Sequence, residues 1–264
     1  MSLPGLVDHE AWTTLAALAR ETSRIRIGTL VTILPFRHPG TLAAQAITLD
    51  HLSDGRLELG IGPGGEAGDF TAVGLEPWPV AERVERLEEQ LQLLDQLTRG
   101  EKVVVRSRSY GSIDLQLPAP VQRPRPPLIV AAQGPRTIAL AARFADGWNS
   151  LGGQPIGPAP TIPLAEAAER TKRQNATLDA ACDAIGRDRR TVRRSVLTYR
   201  TPLDPLSSLD AFDEFTGVYR EAGIEDFVFT WPPTAHLRRR VAVPRAQQAM
   251  FERIGTERIG RAPT

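Results

Sequence analysis

The segment Gln133-Gly134-Pro135-Arg136-Thr137 combines residue types that could bind a phosphate. It follows an apolar run and opens a helical pattern, with Gly134 at the expected cap and Pro135 at the first helical position. Backbone N–H groups at such a helix start lack partners within the helix, and Arg136 and Thr137 stand beside them. The same residues also suit an ordinary helix start. Both interpretations remain open on spacing alone.

The glycine cluster GIGPGG at residues 60–65 is a second candidate binding element. It superficially resembles a dinucleotide-binding fingerprint, but Pro63 and the loop-like continuation to Phe70 argue against a helix that opens directly after it. Because glycine has no Cβ, the cluster would let the backbone approach a flat ring closely. A tight turn without a ligand fits the spacing about as well.

Three side chains are weak candidates for acid–base catalysis, namely His38, Glu66 and Asp69. A histidine before a helical proline is more often a loop residue bonded to the backbone, and carboxylates in a loop are usually at the surface. Asp50 and His51, in the last turn of a predicted helix, are interpreted as structural. No Ser-His-Asp order, metal-ligand cluster or P-loop is visible, which excludes the hydrolase and kinase templates and predicts no metal.

These candidates need a scaffold, and the hydrophobic pattern predicts one in which strands alternate with helices. The predicted strands are Ile25–Ile33, Leu57–Gly62, Leu128–Gln133, Gly147–Leu151, Val192–Tyr199 and Asp226–Trp231. The predicted helices are Glu10–Glu21, Thr41–Leu52, Val80–Thr98, Arg136–Ala145, Leu164–Ile185, Ser208–Ala222 and Arg245–Ile254. Functional groups collect at the carboxyl ends of such strands, so residues 32–39 and 60–65 are the two candidate mouths.

This order of elements predicts an α/β fold, either a barrel or a doubly wound sheet. A closed barrel of this type has eight strands, and the pattern provides two fewer. The helix Glu10–Glu21 has no strand before it. If the fold is a barrel, we expect its first strand, first helix and second strand to be missing, which would make the chain incomplete at its N-terminus.

Two segments interrupt the alternation. Residues 101–127 alternate polar and apolar residues around Tyr110-Gly111 and then become proline-rich, which predicts a β-hairpin followed by an extended arm. This insertion could cover the active-site mouth or contact a second subunit. The stretch Gly152–Pro163 is rich in proline and glycine and follows a strand end, so it is either a lid or a plain connection.

Composition favours a single-domain protein with small-molecule chemistry. The chain has 264 residues, 41% of them hydrophobic, and a net charge of +1. Such a balance gives no reason to expect nucleic-acid or membrane binding. The one cysteine, Cys182, cannot form an intramolecular disulfide, and no apolar run approaches bilayer length. We therefore expect a cytoplasmic protein formed by residues 1–264 as one domain.

Four blocks of sequence, in order, resemble the bacterial luciferase-like flavin monooxygenases and their deazaflavin-dependent relatives. The blocks are EAWTTLAALARETSRIRIGTLVT, FRHPGTLAAQAITLDHLSDGRLELGIGPG, DFTAVGLEP and PPLIVAAQGPRTIALAARFADGWNS, and the resemblance runs from about Glu10 to about Gly255. It implies a TIM barrel that holds FMN or the deazaflavin coenzyme F420 at the carboxyl ends of its strands.

The resemblance also implies which residues contact the cofactor. The end of the first predicted strand, formed by Leu30, Val31 and Thr32, would lie against the cofactor ring. Relatives often have a bulge or an unusual peptide bond at this position. Gly62 and Gly64 would border the ring. The phosphate would be received by Ala132, Gln133, Gly134, Pro135, Arg136 and Thr137. The following strand end, with Asp146, Trp148 and Asn149, would shape the pocket.

Two departures from the family pattern shape the functional hypotheses. Relatives usually have a tryptophan where Gly65 stands, and they supply ring-contacting and often catalytic residues from the two strands predicted to be missing here. The first hypothesis is an oxidoreductase or monooxygenase that acts on a small organic substrate, as a homodimer and with a possible flavin reductase partner. The alternative is a truncated, non-catalytic flavin-binding or dimerising protein, and an artificial fragment of a normal enzyme is the third. We expect weak or absent cofactor retention.

Overall fold

The computed structural model describes residues 10–64, 67–71, 74–157, 159–198, 200–230 and 244–259. The helices are α1 Ala11–Glu21, α2 Pro39–Leu52, α3 Ala67–Thr71, α4 Val80–Thr98, α5 Pro135–Phe144, α6 Leu164–Ala184, α7 Leu209–Glu221 and α8 Arg245–Ile254. The strands are β1 Ile27–Ile33, β2 Leu57–Gly62, β3 Val103–Ser107, β4 Gly111–Leu115, β5 Leu128–Ala131, β6 Gly147–Ser150, β7 Arg193–Leu197 and β8 Asp226–Val228.

The six strands and seven helices predicted from the sequence are all present, which confirms the α/β class. Tyr199 and Trp231, the predicted last residues of two strands, lie outside the described residues. Among the helices that the structure describes, none is long and apolar enough to cross a membrane. The absence of two strands at the N-terminus stays a prediction.

The short helix α3 was not predicted, because the segment leading to Phe70 was interpreted as a loop. Its five residues span little more than one turn, too few for a hydrophobic period to show. Phe70 is almost fully buried and meets the ring of Trp78 edge-on, with 5.4 Å between the ring centroids. A helix this short is not stable by itself, so its stability depends on tertiary contacts such as the burial of Phe70.

Two compact units make up the chain, one formed by residues 1–148 and 178–192, the other by residues 149–177 and 193–264. In the first unit β2 lies between β1 and β5 and runs parallel to both. Ile27 is paired with Leu57, and Leu59 with Leu128. The organisation of the chain as a single domain stays a prediction.

The core of the first unit lies between these strands and helices α2 and α4. Along α4, apolar side chains at helical spacing form a buried stripe made of Val84, Leu87, Leu91 and Leu94. Burial of such side chains stabilises the fold by about 1.5–3 kcal/mol each. The stripe therefore anchors α4, whose first turns reach the loop that follows β2.

Strand β1 contains an irregularity at the position where the family resemblance implies one. Thr29 is paired with Leu59 and Thr32 with Ile61, so three steps along β1 match two along β2, as in a β-bulge. The peptide bond between Leu30 and Val31 is cis. The resemblance implies a bulge or an unusual peptide bond at this position, and both are present.

Residues 101–127 form the predicted hairpin and arm. Strands β3 and β4 are antiparallel, with Val103 opposite Leu115 and Ser107 opposite Gly111. The arm is held at the end of α2, where buried Asp50 accepts hydrogen bonds from the backbone N–H groups of Val121 (2.7 Å) and Gln122 (3.2 Å). His51 lies 2.9 Å from the carbonyl oxygen of Ala119. Asp50 and His51 thus have the structural roles expected of them.

In the second unit β7 and β8 are parallel, with Ser195 opposite Asp226. Aromatic side chains of α7 pack against those at and just beyond β8, and the ring centroids of Phe212 and Phe229 are 5.4 Å apart. Phe227 and Phe229 are stacked at an interplanar angle of 14°. These rings supply apolar area where the strands are short.

Candidate active site

The candidate site lies in the first unit, at the carboxyl ends of β1, β2 and β5. A Cβ added to Gly62 would lie 2.7 Å from Cγ2 of Val31 and 3.7 Å from Cβ of Ala131. Because the three strands are parallel and in register, their ends meet at one edge of the sheet. Val31, Gly62 and Ala131 are therefore immediate neighbours.

The glycines at the end of β2 make room for β1. A Cβ on Gly60 would lie 1.9 Å from the carbonyl oxygen of Thr29, and one on Gly62 would overlap the side chain of Val31. Gly64 has a φ of +77°, a backbone conformation that favours glycine. The bulged strand therefore explains the cluster in structural terms. Contact of Gly62 and Gly64 with a cofactor ring stays a prediction.

A chain of hydrogen bonds crosses the end of β1. The indole N–H of Trp12 donates to Oγ1 of Thr32 at 3.0 Å, and that hydroxyl donates to Oγ1 of Thr29 at 3.1 Å. Thr29 in turn donates to the carbonyl oxygen of Gly60 at 3.1 Å. Thr32 is 5% exposed, so its hydroxyl forms its hydrogen bonds within the protein interior. Strand β1 is thereby fixed to α1 and to β2 at the bulge.

Trp12 belongs to the helix predicted over Glu10–Glu21, but its position beside the candidate site was not predicted. A buried indole needs a hydrogen-bond acceptor, which is the signal that could have indicated it. The guanidinium of Arg37 lies 6.0 Å from the Trp12 ring and forms an ion pair with Glu10. Burial raises the pKa of Glu10, but donation by Thr13 and Trp12 and the charge of Arg37 lower it to a net value below its usual range.

His38 is the N-cap residue of α2. Its Nδ1 accepts a hydrogen bond from the backbone N–H of Gly40 at 3.2 Å, and its Nε2 lies 3.2 Å from the carbonyl oxygen of Tyr110. An Nδ1 acceptor leaves the proton on Nε2, which can then donate to the hairpin tip. Both ring nitrogens are engaged with backbone groups, as the loop interpretation predicts, and a catalytic role stays a prediction.

The positions of the two candidate carboxylates, Glu66 and Asp69, are not described by the structure. Glu66 lies outside the described residues. Asp69 belongs to α3, and its side chain is also outside what the structure describes. Their roles as proton donor or acceptor therefore stay predictions.

The start of α5 presents the features of an anion site. Gly134, Pro135 and Arg136 are exposed, whereas Thr137 is buried and its hydroxyl donates to the carbonyl oxygen of Gly134 at 2.9 Å. An added Cβ on Gly134 would meet no atom closer than 4.0 Å. The first helical turn directs the N–H groups of Arg136 and Thr137 outward along the helix axis, where the positive end of the dipole lies.

Backbone support for this helix start comes from Trp148. Its side chain is fully buried, and Nε1 donates to the carbonyl oxygen of Ala132 at 2.8 Å. Ala132 is itself buried, and Gln133 is half-buried. The connection between β5 and α5 is thereby fixed. Asn149 belongs to the second unit, where Nδ2 donates to Oγ of Ser195 at 2.8 Å.

Asp146 does not share the site, contrary to what the resemblance implies. Its carboxylate accepts a hydrogen bond from the N–H of Leu128 at 2.7 Å and forms an ion pair with buried Arg125. Leu128 is the first residue of β5, so this carboxylate lies at the amino end of that strand. The whole length of β5 separates it from Ala131. Asp146 therefore holds the start of the strand and supplies a counter-charge to the buried guanidinium of Arg125.

In the second unit, Gln154 and Arg200 form hydrogen bonds with described backbone groups between Gly152 and Pro163. The side-chain amide of Gln154 pairs with both the N–H and the carbonyl of Ile162, at 2.9 and 3.0 Å. The guanidinium of Arg200 donates to the carbonyl oxygens of Pro155 (2.9 Å), Gly157 and Ala159. A role of this stretch as a lid stays a prediction.

Comparison with known proteins relates this chain to a protein family. The model of the luciferase-like monooxygenase family matches residues 2–227. The F420-dependent glucose-6-phosphate dehydrogenase of Microbacterium testaceum is 38% identical over 144 residues, which are 53% of this chain and 41% of that protein. The 4-hydroxyprotoasukamycin monooxygenase of Streptomyces nodosus subsp. asukaensis is 34% identical over 149 residues, covering 53% of this chain and 38% of that one.

Solved structures share the fold. The coenzyme F420-dependent tetrahydromethanopterin reductase from Methanopyrus kandleri superposes with a TM-score of 0.73 at 16% identity, covering 96% of this chain and 88% of that one. This chain matches about two fifths of the length of each of the two curated relatives described above. Because the family model matches most of the sequence, the chain belongs to the luciferase-like monooxygenase family.

Proposed function

We propose that this chain forms a coenzyme F420- or FMN-dependent oxidoreductase, or part of one, that acts on a small organic substrate. The family match and relatives named as F420-dependent dehydrogenases and as monooxygenases support this class of reaction. The observation that carries the proposal is the exposed start of α5, which directly follows the strand end where Val31, Gly62 and Ala131 meet. An anionic tail and a ring could be held side by side there.

The residues of this chain fit the phosphate of such a cofactor. Arg136 supplies an exposed positive charge, and the N–H groups of Arg136 and Thr137 supply donors at the positive end of the helix dipole. Thr137 and Trp148 hold the helix start in a fixed conformation through Gly134 and Ala132. Since the donors are preorganised, little conformational entropy would be lost on binding.

The bound cofactor would supply the redox chemistry, whereas the protein supplies binding, orientation and exclusion of water. A relative named as an F420-dependent dehydrogenase and one named as a monooxygenase match this sequence at similar identity, 38% and 34%, so the sequence match does not discriminate between F420 and FMN. We therefore keep both cofactors. Substrate, flavin reductase partner, homodimer and cytoplasmic location remain predictions.

Titration of the purified chain with F420 and with FMN tests the proposal. Saturable binding of either one, followed by absorption or fluorescence, supports it. Arg136→Ala should weaken that binding roughly 10- to 100-fold, since a hydrogen bond to a charged group is worth about 1.5–3 kcal/mol. Arg143→Ala is the matched control, because Arg143 is near the other end of α5 and pairs with Glu88.

Three outcomes can be distinguished. Equal loss of affinity in Arg136→Ala and Arg143→Ala would refute a phosphate site at the start of α5. Absence of binding by the unaltered chain would refute the proposed function and leave, of the alternative, only the non-catalytic dimerising protein. Binding by titration together with loss of cofactor during purification would match the weak retention expected from the sequence.

A further inference from the structure

The first turns of α4 hold the glycine turn that ends β2. Nη1 of Arg83 donates to the carbonyl oxygen of Gly64 at 2.7 Å, across a separation of 19 residues. Gly64 has a positive φ, and glycine has more conformational freedom than any other residue. A turn of this kind keeps one conformation only if other groups restrain it. The charged donor of Arg83 is such a restraint.

The same helix holds the far end of this loop through an aromatic stack. The ring of Phe70 lies 3.4 Å from the position of an added Cβ on Gly64, and it meets Trp78 edge-on. The guanidinium of Arg86 lies 4.2 Å from the Trp78 ring centroid. Arg86 also pairs with Glu82 on the same helix, at 2.7 Å, which fixes its position. The loop is thus bound to α4 at two places.

We propose that Arg83 is a positioning residue for the candidate cofactor site, an inference that rests on the function proposed above. It acts through the backbone of Gly64, two residues after Gly62, which adjoins Val31 and Ala131. Loss of the Arg83 bond would free the turn and, with it, the last residue of β2. The strand end would then hold a cofactor ring less firmly, because more freedom would be lost on binding.

The experiment compares Arg83→Met with Arg99→Met in the full chain. Arg99 lies at the other end of α4 and pairs with Asp95, so the same substitution there leaves the Gly64 turn untouched. The first readout is amide hydrogen exchange in residues 67–71, measured without cofactor. We expect exchange there to be about tenfold faster in Arg83→Met, the effect of one lost charge-assisted bond, and unchanged in Arg99→Met.

The second readout is the affinity for F420 and FMN and the absorption spectrum of the bound form. Arg83→Met should bind about 5- to 10-fold more weakly and shift the spectrum, whereas Arg99→Met should do neither. Arg83→Lys keeps a charged donor but lacks the planar fork, so it should give intermediate values for both readouts. It also keeps the test decisive if Arg83→Met fails to fold.

The outcomes separate this inference from the proposed function. Unchanged exchange in Arg83→Met, or faster exchange with unchanged affinity and spectrum, would overturn the positioning role while leaving the cofactor site intact. Failure of the unaltered chain to bind either cofactor would refute the proposed function and the positioning role together. The exchange experiment would still decide whether Arg83 anchors the turn.

Discussion

Replacement of Gly62 by alanine tests the packing of the bulged strand against β2. The added methyl carbon would lie 2.7 Å from Cγ2 of Val31 and 3.5 Å from its Cβ. Carbon atoms attract best at about 3.5–4.0 Å, so the Val31 side chain or the strand must move by about 1 Å. Overpacking of this kind costs about 1–3 kcal/mol. For a chain of this size, Tm should fall by roughly 2–10 °C.

The contact is between two side chains, so a second substitution can relieve it. Val31→Ala removes Cγ2, and the double variant Gly62→Ala/Val31→Ala should recover most of the stability lost by Gly62→Ala. A coupling free energy of about 1–2 kcal/mol is expected from the four-variant cycle. Gly60→Ala has no such rescue, because its Cβ would lie 1.9 Å from the backbone oxygen of Thr29.

Thermal unfolding by circular dichroism, with urea unfolding for the free energies, measures these differences. Gly217→Ala is the control, since its Cβ meets nothing within 4 Å and it lies inside α7. It should stabilise the protein by about 0.5–1 kcal/mol. If Gly62→Ala left Tm unchanged, or if the effects of Gly62→Ala and Val31→Ala simply added, the packing described at the bulge would be wrong.

Two further predictions concern carboxylates of the first unit that accept several hydrogen bonds. Burial raises the pKa of Asp95, but hydrogen bonds from Arg99 and Arg125 lower it by more than burial raises it. The net pKa therefore lies below the usual range of an aspartate. Asp95→Asn should therefore cost about 1–3 kcal/mol at pH 7. The cost should shrink as the pH falls below about 4, because the carboxylate of the unfolded chain is then protonated while the native one keeps its charge to lower pH; urea unfolding at pH 7 and at about pH 3 checks this. Asp50→Ala should cost about 2–4 kcal/mol and speed amide exchange at Val121 and Gln122, whose N–H groups lose their acceptor. Unaltered exchange there would contradict the role of Asp50.

Local patterns were sufficient to predict most elements and the family. The stripe on α4 and the start of α5 follow from residues within a few turns of each other, because helical periodicity and capping are local effects. The implied irregularity at Leu30 to Thr32 was also found. Helix α3 was missed because Phe70 is buried by contacts distant in sequence.

Side-chain partners across the chain could not be predicted in this way. Three hydrogen bonds join residues that are 16 to 20 positions apart in the sequence, namely Arg83 to Gly64, Trp12 to Thr32 and Trp148 to Ala132. Asp146 was placed at the wrong end of its neighbouring strand for the same reason, since sequence gives no distance between a carboxylate and a remote N–H.

By itself, the sequence determined the alternation of strands and helices, the glycine cluster and the helix start that could receive a phosphate. Only the tertiary structure decided that the glycines make room for a bulged neighbour, that His38 caps a helix, and that arginines of α4 restrain the turn after β2. The reason is that hydrogen bonds and van der Waals contacts depend on distances of a few ångströms, which packing sets between residues far apart in the chain.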